Sequence, residues 1–366
     1  MRIALIVFLS GFALLPSTGA WAADFGADYT QDFLYNLDGG LNRGGGAPGV
    51  VNFNAAFENG DDLFYADVLG TFGGSISSQV GDLQGVSNIS AYNTLKLYEA
   101  WYQHSFDASG VSVRLGLQDY AALFNMLEPA QLFLNSSFGT DPTIAQVGPS
   151  IFPVTTLGAM AHYEFASGFY AMGGVYDGTP GRPGHPAGTQ IALDADDGVF
   201  SAVEAGLTGS GGQPYKLAVG GWYRSTDFVD PAGRPRNDNR GVYVIGSMQV
   251  ADAPATHLFL QLGHARSDRN GIKSYLGAGI TIAGLLASRP KDTFGFGVAT
   301  AQISNAAHAA MAAPASGETA IELTYMAMLS DRFYIQPDLQ YVVHPGASDR
   351  VDNAWVAGLR VAYSWP

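Results

Sequence analysis

The sequence predicts an all-β protein, a transmembrane antiparallel β-barrel of about sixteen strands with a constriction loop folded into it. Three observations predict it. Hydrophobic residues reach 47% and charged residues only 14% of the 366, yet no run after the N-terminus is long enough for a membrane helix. High apolar content without an apolar block is what alternating strands produce. Apolar–polar alternation can be followed through nearly the whole chain. Short connections also alternate with long ones, as barrel turns alternate with barrel loops.

The N-terminal stretch reads as a secretory signal over residues 1–22. Arg2 is its basic region, residues 3–15 its apolar core, and Ala20-Trp21-Ala22 a small-x-small cleavage pattern. Cleavage would leave residues 23–366 as one barrel domain. Strands are expected at 26–35, 50–57, 63–73, 92–106, 111–120, 155–165, 169–177 and 199–208. They continue at 215–226, 241–250, 257–266, 274–283, 293–304, 318–329, 333–343 and 354–365. The connections at 58–61, 107–110, 166–168, 209–214 and 330–332 are short. Those at 36–49, 74–91, 121–154, 178–198, 227–240 and 305–317 are long and rich in Gly, Pro, Asp and Asn. In such a barrel the short turns face the periplasm and the long loops the exterior. The last strand ends on Trp365, an aromatic end of the kind the barrel-assembly machinery takes up. Pro366 departs from that pattern.

Residues 121–153 form the longest connection and lack strand periodicity. They carry Phe124, Met126, Leu127, Leu132, Phe133, Leu134, Phe138, Ile144, Ile151 and Phe152. That content is too apolar to stay solvated. The loop is therefore expected to fold into the lumen and narrow it.

The period of two assigns faces. Val111, Val113, Leu115 and Leu117 should face lipid, leaving Ser112, Arg114, Gly116 and Gln118 inside. On the strand before, Tyr98, Ala100, Tyr102 and Phe106 should face out, with Leu97, Glu99, Trp101, Gln103 and Ser105 inside. Met160 and His162, and Lys216, Trp222 and Arg224, are inward on later strands. An Arg or Lys facing lipid at mid-depth costs about 2–4 kcal/mol, which sets these registers. Folding the hairpin about its 107–110 turn puts Gln103 opposite Arg114, Trp101 opposite Gly116 and Glu99 opposite Gln118. The indole can then lie flat beside the guanidinium.

Composition excludes several functions. Cysteine is absent, so disulfides and thiolate chemistry are excluded, and the net charge of −14 disfavours nucleic acid. There is no GxSxG or HExxH motif and no His pair at metal-ligand spacing, so neither catalytic nor metal residues are assigned. The acids Asp194, Asp196 and Asp197 lack calcium-loop spacing and read as a solvated loop. No cofactor is expected.

The residues resemble the carbohydrate-selective porin family, the OprB type. The resemblance rests on LYEAWYQ (97–103), RLGLQDY (114–120), LEPAQLFLNSSFGTDPT (127–143) and GPSIFPVTTLGA (148–159). VYDG (175–178), ELTY (322–325) and IQPDLQYVVHPG (335–346) add to it. It implies a sixteen-stranded barrel in the outer membrane of a Gram-negative bacterium that passes small sugars by diffusion. No residue role is carried over from it.

Sugar-pathway candidates therefore come from facing and position. Glu99, Gln103, Arg114 and Gln118 can exchange hydrogen bonds with hydroxyls, and Trp101 offers an aromatic face. Glu128 and Asn135 on the long loop form a second tier with Asp141, whose place before Pro142 suits turn formation. Glu99 and Arg114 can equally just neutralise each other. The alternatives are a general or other-solute diffusion porin and, in another class, an outer-membrane enzyme or adhesin on the same scaffold. Trimerisation is left open, because no flat apolar patch decides it.

Overall fold

The computed structural model describes residues 21–106, 109–181, 188–194, 196–210 and 213–365. Most of the signal segment, the tip of the 107–110 turn, part of the 178–198 loop and Pro366 lie outside the described residues. Sixteen long antiparallel strands close into one barrel, with a three-residue strand, Gly44–Gly46, added against the first. They are β1 (Ala22–Gly40), β2 (Gly49–Asn59), β3 (Asp62–Phe72), β4 (Thr94–Phe106), β5 (Val111–Gln118) and β6 (Thr156–Glu164). Next come β7 (Phe169–Asp177), β8 (Val199–Gly209), β9 (Tyr215–Arg224), β10 (Asn239–Asp252) and β11 (Ala255–Ala265). The circuit ends with β12 (Ile272–Ala283), β13 (Thr293–Ile303), β14 (Gly317–Met328), β15 (Phe333–Val343) and β16 (Asp352–Trp365). Each expected strand is present, offset by a few residues at most. Closure pairs β1 with β16, from Ala27↔Trp365 to Gly40↔Asp352. Closing the sheet removes the edge strands that lipid cannot hydrate.

Facing follows the alternation. Phe33, Tyr35, Phe53, Leu115, Val175, Val203, Leu217, Val219 and Leu260 are exposed on the outer wall. β4 corrects the expected pattern. Its pairing with β3 shifts register between Asp67↔Glu99 and Val68↔Leu97, leaving Tyr98 as an unpaired extra residue. A bulge of this kind re-aims side chains. Tyr98 is turned inward, buried with Val50 and Leu69, where its hydroxyl donates to Asp119. Leu97 takes the outward position opposite Val68. On β5, Leu115 is exposed as expected, whereas Leu117 is buried.

The apolar loop is inside. Residues 119–155 contain a 3-10 turn (Glu128–Leu132), α1 (Ser136–Gly139) and α2 (Pro142–Ala145). Phe124, Leu127, Phe133, Phe138 and Ile144 form one cluster with inward side chains of the wall, among them Tyr176, Phe200, Tyr243 and Phe259. Phe133 meets Phe138 at 4.5 Å and Phe259 at 5.6 Å. The loop is thus the core that a hollow barrel lacks.

A second segment, residues 73–93, also turns inward, although its composition gave no such expectation. Its Ile76, Val80 and Val86 pack with Leu34, Val342 and Val356 of the wall and with Leu134 of the first loop. The two loops exchange backbone hydrogen bonds, Asn88 N–H to Leu134 C=O at 2.7 Å and Ser136 N–H to Gly85 C=O at 2.8 Å.

Candidate functional site: the lumen and its constriction

The lumen is built by tying two polar backbones to the wall. Buried backbone N–H groups need acceptors, and three inward glutamates supply them. Glu322 on β14 accepts from Leu134 N–H at 2.6 Å and Asn135 N–H at 3.0 Å. Glu318, two inward steps away, accepts from Leu83 N–H at 2.7 Å, Gln84 N–H at 3.0 Å and Gly346 N–H at 2.8 Å. Glu204 on β8 accepts from Asn125 N–H at 2.8 Å and from the hydroxyls of Tyr170 and Tyr243. Wall amides hold loop carbonyls in turn: Gln336 on Leu132, Gln261 on Phe138 and Gln340 on Val86. At the closing seam, Arg360 clasps Asp32 through two bonds of 2.7 and 2.9 Å and reaches Asn88 at 2.7 Å.

These loop receptors were missed in the sequence. The available signal was the acids at inward positions of β14, Glu318 and Glu322. An acid inside a strand needs either water or donors, and here the donors are loop backbone.

The candidates on β4 and β5 come together as the alternation indicates. Gln103 pairs with Arg114 and Trp101 with Gly116. Arg114 donates from Nε and Nη2 to Gln103 Oε1, at 3.2 and 3.0 Å. Its guanidinium carbon lies 3.7 Å from the Trp101 ring centroid, and Tyr65 of β3 is stacked on the indole at 5.0 Å and 26°. Gly116 makes this possible. Its φ is +135°, and a Cβ there would meet Ala100 O at 2.3 Å. The indole is only 5% exposed, because Tyr65 and Arg114 stack against it.

Glu99 does not meet Gln118 in the ladder, which ends at Ala100↔Leu117. Glu99 Oε1 instead accepts from Asp119 N–H at 2.9 Å. Gln118 is fully buried and donates to Gly158 C=O at 2.9 Å. Burial raises the carboxyl of Asp119 above the usual range, against the pull of the Tyr98 hydroxyl and three backbone N–H groups.

On the loop, Glu128 is exposed at the start of the 3-10 turn. Asn135 is buried as the N-cap of α1, accepting from Ser137 N–H at 3.2 Å and donating to Gln340 at 3.2 Å. Asp141 caps α2 through Thr143 N–H at 2.7 Å, the turn role its place before Pro142 suggests. Burial pushes its carboxyl up to about 7, opposed by the bonds from Thr143. Its Oδ2 lies where a Cβ on Gly263 would be. Asn52, Asn54, Tyr65, Gln103 and His162 are inward and only partly buried, so the wall of β2–β6 carries mixed donors and acceptors. Among the described residues, no group of three His, Asp or Glu side chains could hold a metal ion.

Comparison with known proteins agrees with this architecture. The chain is 24% identical over 310 residues to Porin B of Pseudomonas aeruginosa, covering 73% of this chain and 68% of that protein. A high-pH structure of Pseudomonas putida OprB superposes with a TM-score of 0.84 at 20% identity, covering 94% of each chain. The outer membrane channel DcaP of Acinetobacter baumannii matches with a TM-score of 0.61 at 10% identity, covering 97% of this chain and all of that one. The model of the family described as "Carbohydrate-selective porin, OprB family" matches residues 61–364. That span takes in fourteen of the sixteen strands, wholly or nearly so, and both inward loops, and the chain therefore belongs to the carbohydrate-selective porin, OprB family.

Proposed function

We propose that the barrel passes small sugars by passive diffusion, from outside the cell into the periplasm, along the wall of β2–β6 beside the constriction loop. The observation that carries this reading is the Tyr65–Trp101–Arg114–Gln103 stack. It fixes a guanidinium, an amide and a phenol at set positions on one wall, facing a loop that is itself held at several points. Sugars exchange hydrogen bonds with water for hydrogen bonds with such groups at little net cost. Gln103, Glu99 and Glu128 are the sugar-contacting candidates on this reading. Trp101 positions Arg114 and Tyr65 rather than stacking on sugar itself, because both partners already lie against the indole. Gln118 and Asn135 hold the frame through their buried hydrogen bonds.

On the same reading the short turns face the periplasm, the signal segment is removed after Ala22, and the assembly machinery inserts the barrel from its C-terminal strand. Liposome swelling tests the function. Neutral sugars should enter faster than amino acids and salts of similar size. Equal rates across these solutes would make the pore a general diffusion channel. Lipid turnover without solute flux would make it an enzyme.

A further inference from the structure

Near the long-loop rim, the outer wall of β8–β11 bears a groove of about 430 Å³. Gly221 is its floor. Val203 and Val242, paired with Gly221 on the flanking strands, are its walls. Both are well exposed, and a Cβ on Gly221 would reach Val242 Cγ1 only at 3.7 Å. The dent is therefore apolar and narrow. Its upper edge is different, being lined by Tyr223, Arg240, His264 and Arg266.

The cations at this edge are not equivalent. Arg266 and Arg269 each pair with both Asp238 and Asp268, at 2.7–3.0 Å. That cluster is close to neutral. Arg240 is exposed one residue into β10, and no carboxylate of the described residues lies within ion-pairing distance of it. His264 is exposed on the next strand, opposite Val242. Arg240 thus sits above the apolar groove without a salt bridge, although it is near enough to Asp238 to help Arg269 hold that carboxyl below its usual range.

We propose that this groove docks a phosphate-bearing glycolipid of the outer leaflet. One acyl chain lies over Gly221 between Val203 and Val242, and a phosphate sits on Arg240 with His264 beside it. Charge complementarity selects this occupant. A guanidinium matches phosphate oxygens in a bidentate fork. A second copy of the chain meeting this face across a two-fold axis would set Arg240 against Arg240. The proposal rests on the reading that the long-loop rim faces outward, since that places Arg240 at the outer headgroups.

Native mass spectrometry of the full-length barrel, extracted in mild detergent and titrated with diphosphoryl lipid A, tests it. The wild type should retain one lipid. Arg240→Glu reverses an exposed charge and should lower retention roughly tenfold or more. Gly221→Leu, which fills the groove and leaves the charge, should do the same. Equal retention by wild type and Arg240→Glu overturns the proposal. So does equal retention of lipid A stripped of its phosphates, or of a zwitterionic phospholipid. Orientation is read separately by labelling a cysteine that replaces Gly233 with an impermeant reagent on intact cells. Failure to label there, with labelling at position 109, overturns the outer-leaflet source even where binding in detergent survives.

Discussion

Replacing Trp101 with alanine tests how the lumen wall handles sugar. The indole does two jobs at once. It carries the Arg114 guanidinium at 3.7 Å on its ring and the stacked Tyr65 ring. A partly desolvated cation–π contact contributes about 0.5–2 kcal/mol. That is a roughly 2- to 30-fold change in how firmly the guanidinium keeps its place. The aromatic stack adds about 0.5–1.5 kcal/mol to the position of Tyr65. After truncation Arg114 retains its two bonds to Gln103 and its charge, so the field in the lumen barely changes while the geometry loosens. Sugar flux should therefore saturate at concentrations several-fold higher, with small-ion conductance nearly unchanged. Single-channel recording with added sugar, together with liposome swelling, measures both. Arg114→Ala should instead shift ion selectivity towards cations. Because the two side chains share one contact, the double variant should lose less sugar affinity than the sum of the singles. Unchanged flux and saturation in Trp101→Ala, or full additivity in the double variant, would show that the indole only fills space.

Other outcomes follow from the loop anchors. Glu322→Gln puts an amide donor against one of two backbone N–H groups. It removes the acceptor of a buried backbone N–H and leaves a donor–donor conflict, a cost of about 1–3 kcal/mol, so single-channel current should become noisier at unchanged barrel heat-modifiability. Gly263→Ala would place a methyl on the Asp141 carboxylate; overpacking of this kind costs about 1–3 kcal/mol, and limited proteolysis should cut residues 121–153 faster. Asp141 is raised to about 7 by burial, so its contribution to loop seating is complete in acid and is lost as pH rises through about 7. Protease resistance of the loop should fall over that window in the wild type and stay flat in Asp141→Asn. An impermeant thiol reagent on intact cells should label a cysteine replacing Gly233 and spare one replacing Ser109; equal labelling would reverse the assigned topology.

The sequence by itself determined the barrel, its strand number and most facing, because lipid on one side and water or packed loop on the other enforce a period of two. It also determined that residues 121–153 go inside, since so many large apolar side chains cannot remain in water. The Gln103–Arg114 and Trp101–Gly116 pairings were legible from one hairpin turn, a local constraint. Tertiary structure decided the rest. The inward turn of Tyr98 depends on a bulge against β3, and local alternation contains no signal for an extra residue. The roles of Glu204, Glu318 and Glu322 depend on which loop backbone arrives across the lumen, from partners 79 to 235 residues away. The burial of Gln118 and Asn135, legible only as polar, likewise follows from what packs over them. A side chain's direction is set by its own strand; whether it meets sugar, water or a backbone N–H is set by segments far away in the chain.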